Sequence, residues 1–128
     1  MTRVAAFIPD LLFGSRVQGA LAAAGHEVEL ISSEGRVREL LTDGETAPPE
    51  VLVVDLTDAE LGGAELVAAL AAEGRLGGTR TLGFYSHVDT PARERAEQAG
   101  FDLVVARSRM AREGAQLVAR LGSGQAPA

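Results

Sequence analysis

Four polar residues that could do chemistry each stand at the end of an apolar run or just past it: Asp10, Asp55, Ser86 and Arg107. Asp55, which ends the most apolar run, could accept a phosphoryl group, bind a cation or cap a loop. A serine hydroxyl could bind an anion held there, and an arginine could place a permanent positive charge over it. Asp10 is equally well placed to cap a helix, and Arg107 to be an arginine that snorkels from a strand end.

Five apolar runs predict the strands that position these residues: Val4–Ile8, Val28–Ile31, Val51–Leu56, Thr81–Tyr85 and Leu103–Ala106. Segments with helical spacing lie between the runs, and strict alternation of strand and helix favours a parallel sheet covered on both faces. We therefore predict an α/β, flavodoxin-like three-layer sandwich with five parallel strands in the order 2-1-3-4-5. Ligands of such folds lie at the carboxyl ends of the strands, where the four polar residues fall.

Capping residues predict where the helices begin. Asp10 precedes the first helix, and Thr57 with Glu60 has the spacing of a capping box before the third. Thr90 followed by Pro91 is typical of a capped fourth helix with proline in its first turn.

The composition limits the class of protein. We assign residues 1–121 to one domain, a size that can bury a core, and residues 122–128 to a flexible tail. No run approaches the roughly 20 apolar residues of a membrane helix, and a net charge of −6 argues against a nucleic-acid-binding surface. The chain has no cysteine, which excludes disulfides and thiolate metal sites, and no lysine. We expect a soluble, cytoplasmic protein.

The order and spacing of these features resemble the receiver domain of two-component signalling over residues 3–121. The segment from the first strand through residues 24–25 matches the receiver's opening unit without a gap. The strand ending in Asp55 resembles the phosphoacceptor strand, and Ser86 matches the switch hydroxyl. Residues 99–102, Ala-Gly-Phe-Asp, resemble the turn before the last strand.

The resemblance implies a magnesium site that this sequence lacks in part. Receivers carry an acidic pair at the end of the first strand, and here those positions hold Ile8 and Pro9, with Asp10 one place later. Magnesium requires oxygen ligands in near-octahedral geometry, and phosphoryl transfer depends on the charge that it neutralises. We expect no resident metal or cofactor, and at most weak magnesium binding.

Two further positions depart from the receiver pattern. The residue equivalent to the receiver's lysine is Arg107, which keeps the charge and can pair bidentately with Asp55. The aromatic switch position on the last strand is Val104. The departures predict an atypical receiver, or pseudo-receiver, with an Asp55–Arg107 ion pair that fixes the crevice in one state.

The segment that opens the first helix has two interpretations. Ser15 and Arg16 could bind an anion at the helix start, or the three residues 11–13, Leu-Leu-Phe, could pack the crevice shut, which we favour. His87, beside Ser86, borders the same crevice and could tune it.

The fourth helix, fifth strand and fifth helix offer a surface for a partner, although a solvated face has the same composition. Its candidate contact residues are Arg93, Arg95, Val104, Arg109 and Arg112.

We therefore predict a stand-alone, non-enzymatic pseudo-receiver that regulates by contact with another signalling protein, a homodimer through that surface being one form. The first alternative is a working phosphoacceptor that phosphorylates Asp55 from a phosphodonor, with Asp10 as an off-register magnesium ligand. The second is a sensor that binds a small ligand in the crevice.

Overall fold

The structure, a computed structural model, describes residues 2–42, 47–86 and 88–122. Within them, strands and helices alternate along the chain with one short 3-10 turn. The order is β1 (Arg3–Phe7), α1 (Leu11–Ala23), β2 (Glu27–Ile31), α2 (Glu34–Thr42), β3 (Val51–Asp55), the 3-10 turn (Ala59–Leu61), α3 (Gly63–Ala72), β4 (Arg80–Tyr85), α4 (Thr90–Ala99), β5 (Leu103–Ala106) and α5 (Arg107–Gly122).

The strands form one parallel sheet in the order β2-β1-β3-β4-β5, which confirms the predicted α/β, flavodoxin-like topology. β3 lies at the centre of the sheet, and all five of its residues are buried. The register pairs Val54 of β3 with Phe7 of β1, and Asp55 with Phe84 of β4. Asp55 therefore stands at the carboxyl edge of the central strand, with a strand on each side.

Alternating side chains of the sheet build two cores. Val51 and Val53 face α1 and α5, in one buried cluster with Leu21 and Leu117. The intervening residues of β3 face α2, α3 and α4. The alternation places Asp55, two residues beyond Val53, on the α1–α5 face.

The predicted capping box before the third helix is wrong. Asp58, not Thr57, caps the 3-10 turn through Glu60 N–H, and α3 begins later, at Gly63. Gly62 makes this possible because its φ of 71° is left-handed, a conformation that costs glycine little. The Thr57 hydroxyl is consequently free for a different contact.

The predicted cap of the fourth helix is wrong by one residue. Asp89, rather than Thr90, accepts a hydrogen bond from Ala92 N–H at 3.1 Å, and Pro91 stays in the first turn. An aspartate caps at least as well as a threonine, and here it stands one position earlier. By contrast, Asp10 caps α1 as predicted.

Among the described residues, no helix combines the length and the apolar character needed to cross a bilayer. α5 includes Gly122, which the sequence assigns to the tail, and the rest of the predicted tail lies outside the described residues.

Candidate functional site

The Asp55 carboxylate is held by its own chain two residues further on. Its side chain is buried, with 5% of the residue exposed. Oδ1 accepts a hydrogen bond from Thr57 N–H at 2.8 Å and another from the Thr57 hydroxyl at 2.6 Å. A short polar side chain that bonds the backbone two residues away forms a local turn, so β3 ends in a turn that orients the carboxylate.

Apolar side chains flank Asp55 on both sides. Phe84 is its register partner on β4, and Ile8 follows the last residue of β1 that pairs with β3. Ile8 and Phe84 are both buried in the α1–α5 core, with Ile8 only 1% exposed. Ile8 is thus part of the core at a position where the resemblance implies a carboxylate.

A stack of three side chains continues from Phe84 towards solvent, and we call it the Arg107–Phe13–Phe84 stack. The Phe13 and Phe84 ring centroids are 5.1 Å apart, with the ring planes tilted by 48°. The Arg107 Cζ lies 4.1 Å from the Phe13 centroid, within the range of a cation–π interaction.

The predicted ion pair between Asp55 and Arg107 is therefore wrong. Among the described residues Arg107 forms no salt bridge, and both described hydrogen bonds to the Asp55 carboxylate come from Thr57. Two features explain why the ion pair does not form. A neighbouring hydroxyl and amide satisfy the carboxylate without ordering a long side chain, whereas an aromatic face already stands beneath the guanidinium.

A cavity of about 350 Å³ opens at Asp55, lined by Pro9, Asp10, Asp55, Thr57, Asp58 and Leu61. Its three carboxylates are each engaged with backbone N–H groups: Asp10 with Leu12 and Phe13, Asp55 with Thr57, and Asp58 with Glu60. Within the part of the chain that the structure describes, no three carboxylates or histidines are placed to hold a metal ion. The residues at this edge do not fit the magnesium site that the resemblance implies.

Ser86, Ser15 and Arg16, which were also predicted for the crevice, do not line this cavity. Ser86 is half-buried at the end of β4, and its carbonyl accepts a hydrogen bond from Asp89 N–H. Ser15 is exposed, and Arg16 lines a different cavity of about 210 Å³, between α1 and α5. His87 lies outside the described residues.

None of the three apolar residues of α1 that were predicted to close the crevice lines the cavity at Asp55. Phe13 is 3% exposed, whereas Leu11 is 75% and Leu12 is 83% exposed. With 3.6 residues per helical turn, one side chain of the three faces the sheet and the two before it face outward.

Three of the residues predicted to contact a partner lie near glutamates on their own helices. Arg93 pairs with Glu97, and this hydrogen bond, together with the nearby Tyr85, raises the pKa of the guanidinium above its ordinary value. Arg109 and Arg112 both lie near Glu113 on their own helix.

The remaining two partner residues lie on the side of the sheet covered by α4. Arg95 is exposed and lines the groove between α3 and α4, and Val104 is half-buried against the core beneath α4.

Sequence reasoning missed Thr57 and Phe84 as site residues. The Asp-x-Thr spacing at residues 55–57 is a signal for the turn that Thr57 makes. Phe84 carries no local signal, because its place beside Asp55 depends on the register between β3 and β4.

Comparison of the sequence with models of protein families gives no match, and comparison with curated proteins gives none. Solved structures of response-regulator receivers do match the fold. FixJ-N has a TM-score of 0.81 at 17% identity, covering 100% of this chain and 98% of that one. The receiver domain of the Francisella response regulator 1452 has a TM-score of 0.79 at 14% identity, covering 97% and 98%. A CheY-like receiver domain protein from Methanospirillum hungatei JF-1 has a TM-score of 0.71 at 14% identity, covering 97% and 98%.

The chain therefore has the flavodoxin-like fold of CheY-like receiver domains. At these identities the likeness concerns the fold, and function has to be argued from the site.

Proposed function

We propose that this chain is a receiver-like signalling domain, of the pseudo-receiver type, that acts by protein–protein contact and does not depend on magnesium-assisted phosphorylation of Asp55. The observation that carries the proposal is the environment of Asp55. The Thr57 hydroxyl donates a hydrogen bond to its carboxylate, and the apolar residues Ile8 and Phe84 flank it. The nearest equivalent of a phosphoryl-binding cation, Arg107, is stacked on Phe13.

Electrostatics supports the same conclusion. A phosphoryl group on Asp55 would replace the single negative charge of the carboxylate with up to two on the phosphoryl oxygens, in a cavity that Asp10 and Asp58 also line. In receivers a magnesium ion neutralises such charge, and here the described residues assemble no metal site. Without that cation, like charges at close range oppose the phosphorylated state.

The test is incubation of the chain with acetyl phosphate and magnesium, and separately with beryllofluoride and magnesium. Intact mass and ¹H–¹⁵N NMR spectra report the extent of reaction, with Asp55→Asn as the control. We expect the wild-type and Asp55→Asn proteins to give the same result. Stoichiometric modification of the wild type that Asp55→Asn abolishes would overturn the proposal.

The partner surface that we propose is the face built by α4, β5 and α5, and the partner is another signalling protein or a second copy of the chain. Arg93 on α4 and Arg112 on α5 support it, since both side chains are exposed. Analytical ultracentrifugation tests the homodimer form. A dimer that Arg93→Glu/Arg112→Glu weakens supports this form, and one that this double variant leaves unchanged contradicts it.

A working phosphoacceptor is the second candidate, and the cavity beside Asp55 favours it, because about 350 Å³ is ample for a phosphoryl group. Magnesium titration followed by NMR separates the two proposals. Saturable shifts of the Asp10, Asp55 and Asp58 amides would support a metal-dependent acceptor, and their absence would support the pseudo-receiver.

A further inference from the structure

α2 buries little apolar surface against the rest of the fold. Val37 is its one buried side chain, and Leu40 and Leu41 are half-buried beside it. By contrast, α3 and α5 each bury four apolar side chains in addition to a glycine. A helix of nine residues is marginal in water by itself, so α2 depends on other contacts to stay in place.

The sheet beneath α2 explains why so little is buried. Side chains alternate along β2, so that Glu27 and Glu29 lie on the same face as Ile31, which is the face that α2 covers. On this face β1 contributes the small side chain of Ala5. A cavity of about 250 Å³, lined in part by Ala5, the two glutamates and Leu40, lies between the sheet and the helix. Small and charged side chains thus take the place of an apolar surface on which the helix would pack.

Arg36 joins α2 to the edge strand of the sheet. Its guanidinium donates two hydrogen bonds to the Glu29 carboxylate, from Nε at 2.6 Å and from Nη2 at 2.9 Å. Its Nη1 donates a third, at 3.1 Å, to Glu39 on α2 itself. Bidentate arginine–carboxylate pairs are the stronger kind of surface ion pair, because two parallel bonds fix their geometry.

Arg38 joins α2 to the end of α3. It donates to Glu34 of its own helix at 3.3 Å and to Glu73, which follows the last residue of α3, at 3.2 Å. Glu73 also accepts a hydrogen bond from Arg75 at 3.0 Å. Every side chain in these ion pairs is at least one-third exposed, so ions in solution reach them and screen them.

We propose that α2 is a strap that these ion pairs hold over the β2–β1 side of the sheet, and that it opens as a unit as ionic strength rises, while the sheet and the other helices stay folded. Opening breaks the Arg36–Glu29 and Arg38–Glu73 pairs together and exposes Val37. Local opening of this kind is expected of an element with little buried apolar surface and many exposed polar contacts. The inference is independent of the proposed function, because it involves neither Asp55 nor the α4–β5–α5 face.

Salt should act on α2 and on the whole fold in opposite directions. Screening weakens the attraction between exposed opposite charges, which favours the open strap. The same screening relieves the self-repulsion of a chain whose net charge is −6, which stabilises the compact state. Within the described part of the chain α1 forms no ion pair, so its opening reports the second effect alone.

Hydrogen–deuterium exchange of the backbone amides, followed by NMR at constant pH, measures the opening of each helix. Sodium chloride is raised from about 0.01 M to about 1 M, which shortens the screening length from about 30 Å to about 3 Å. We expect the α2 amides to exchange about fivefold faster at high salt, and those of α1 and α5 to be unchanged or slower. Arg36→Met/Arg38→Met keeps the aliphatic stems and should give the faster α2 exchange already at low salt, with little further dependence on salt.

Two controls separate opening of the strap from unfolding of the whole chain. Arg93→Met/Arg112→Met removes the same charge from ion pairs that lie within α4 and within α5, and it should leave α2 exchange unchanged. Low concentrations of urea should accelerate exchange in α5 more than in α2, because local opening exposes less surface than global unfolding. The proposal is overturned if α2 exchange does not respond to salt, if it follows that of α5 under every condition, or if Arg36→Met/Arg38→Met leaves it unchanged. Unprotected α2 amides at low salt overturn it as well.

Discussion

The Arg107 guanidinium lies over the Phe13 ring, with Cζ 4.1 Å from the ring centroid, and not against the Asp55 carboxylate. α5 begins at Arg107 itself, directly after β5, so the position of this side chain is set where strand and helix join. Phe13 in turn contacts Phe84, whose register partner is Asp55. The positive charge thus lies against an aromatic ring, and Arg107 forms no described ion pair with the acceptor-like aspartate.

The first prediction concerns this stack. In a double-mutant cycle of Arg107→Met and Phe13→Leu, we expect a coupling of about 0.5–1 kcal/mol in the free energy of unfolding, the usual size for an exposed cation–π pair. Urea denaturation measures it. Arg112→Met in place of Arg107→Met is the control, since Arg112 lies near Glu113 and not over an aromatic ring, and its effect should add to that of Phe13→Leu. Equal coupling in both cycles would contradict the stack.

The second prediction concerns the turn at Asp55. Thr57→Val removes the hydroxyl that donates to Oδ1 and keeps the backbone N–H, so we expect a loss of about 0.5–1.5 kcal/mol in the free energy of unfolding. Thr57→Ser keeps the hydroxyl and should lose less. Asp55→Asn keeps an oxygen acceptor, and in that background Thr57→Val should still destabilise. Chemical denaturation of the variants provides the measurement, and identical effects of valine and serine would argue against the bond.

The third prediction compares two glycines. A Cβ on Gly63 would stand 2.6 Å from Val54 Cγ1 and 3.2 Å from the Asp55 carbonyl oxygen, so α3 approaches β3 through a glycine. Gly63→Ala should destabilise the fold by about 1–3 kcal/mol, the usual range for overpacking a core. Gly19→Ala is the matched control, because Gly19 lies inside α1 and a Cβ there meets nothing within 4 Å. It should stabilise the helix by about 0.5–1 kcal/mol.

Thermal unfolding of the two alanine variants tests this comparison. A melting temperature that stays unchanged for Gly63→Ala would show that the approach of α3 to β3 is looser than the distances indicate. One that falls for Gly19→Ala would contradict the open space around Gly19.

The fourth prediction concerns pH. The hydrogen bond from Arg36 lowers the pKa of Glu29 below its ordinary value of 4.5. A lowered pKa in the folded state means that the pair stabilises the fold above pH 4.5, and that this contribution is lost as the pH falls through the lowered pKa. Both side chains are substantially exposed, so the contribution is small and screened by salt.

Melting temperatures across this range check the sign. The difference between wild type and Glu29→Gln should be largest near neutral pH and should shrink in acid. Glu39→Gln is a control, since Glu39 also pairs with Arg36 and its side chain is more exposed than that of Glu29. A difference that grows in acid would contradict the assignment.

Much of the fold could be predicted from local patterns. Apolar runs fixed the order of strands and helices, and the capping aspartate fixed where α1 begins, because both signals lie within a few residues. The caps of the third and fourth helices were predicted at the wrong residues. There, Thr57 and Thr90 each stand next to an aspartate that caps instead.

By itself the sequence determined the parallel α/β sheet and the position of Asp55 at a strand end. These follow from residue type and spacing along the chain. The tertiary structure alone decided which groups meet at that edge. In the structure the Asp55 carboxylate accepts a hydrogen bond from Thr57, Arg107 stacks on Phe13, and Leu11 and Leu12 are exposed. Which residues a side chain contacts depends on strand register and helix rotation. These bring together residues that are distant in sequence, and no local pattern specifies them.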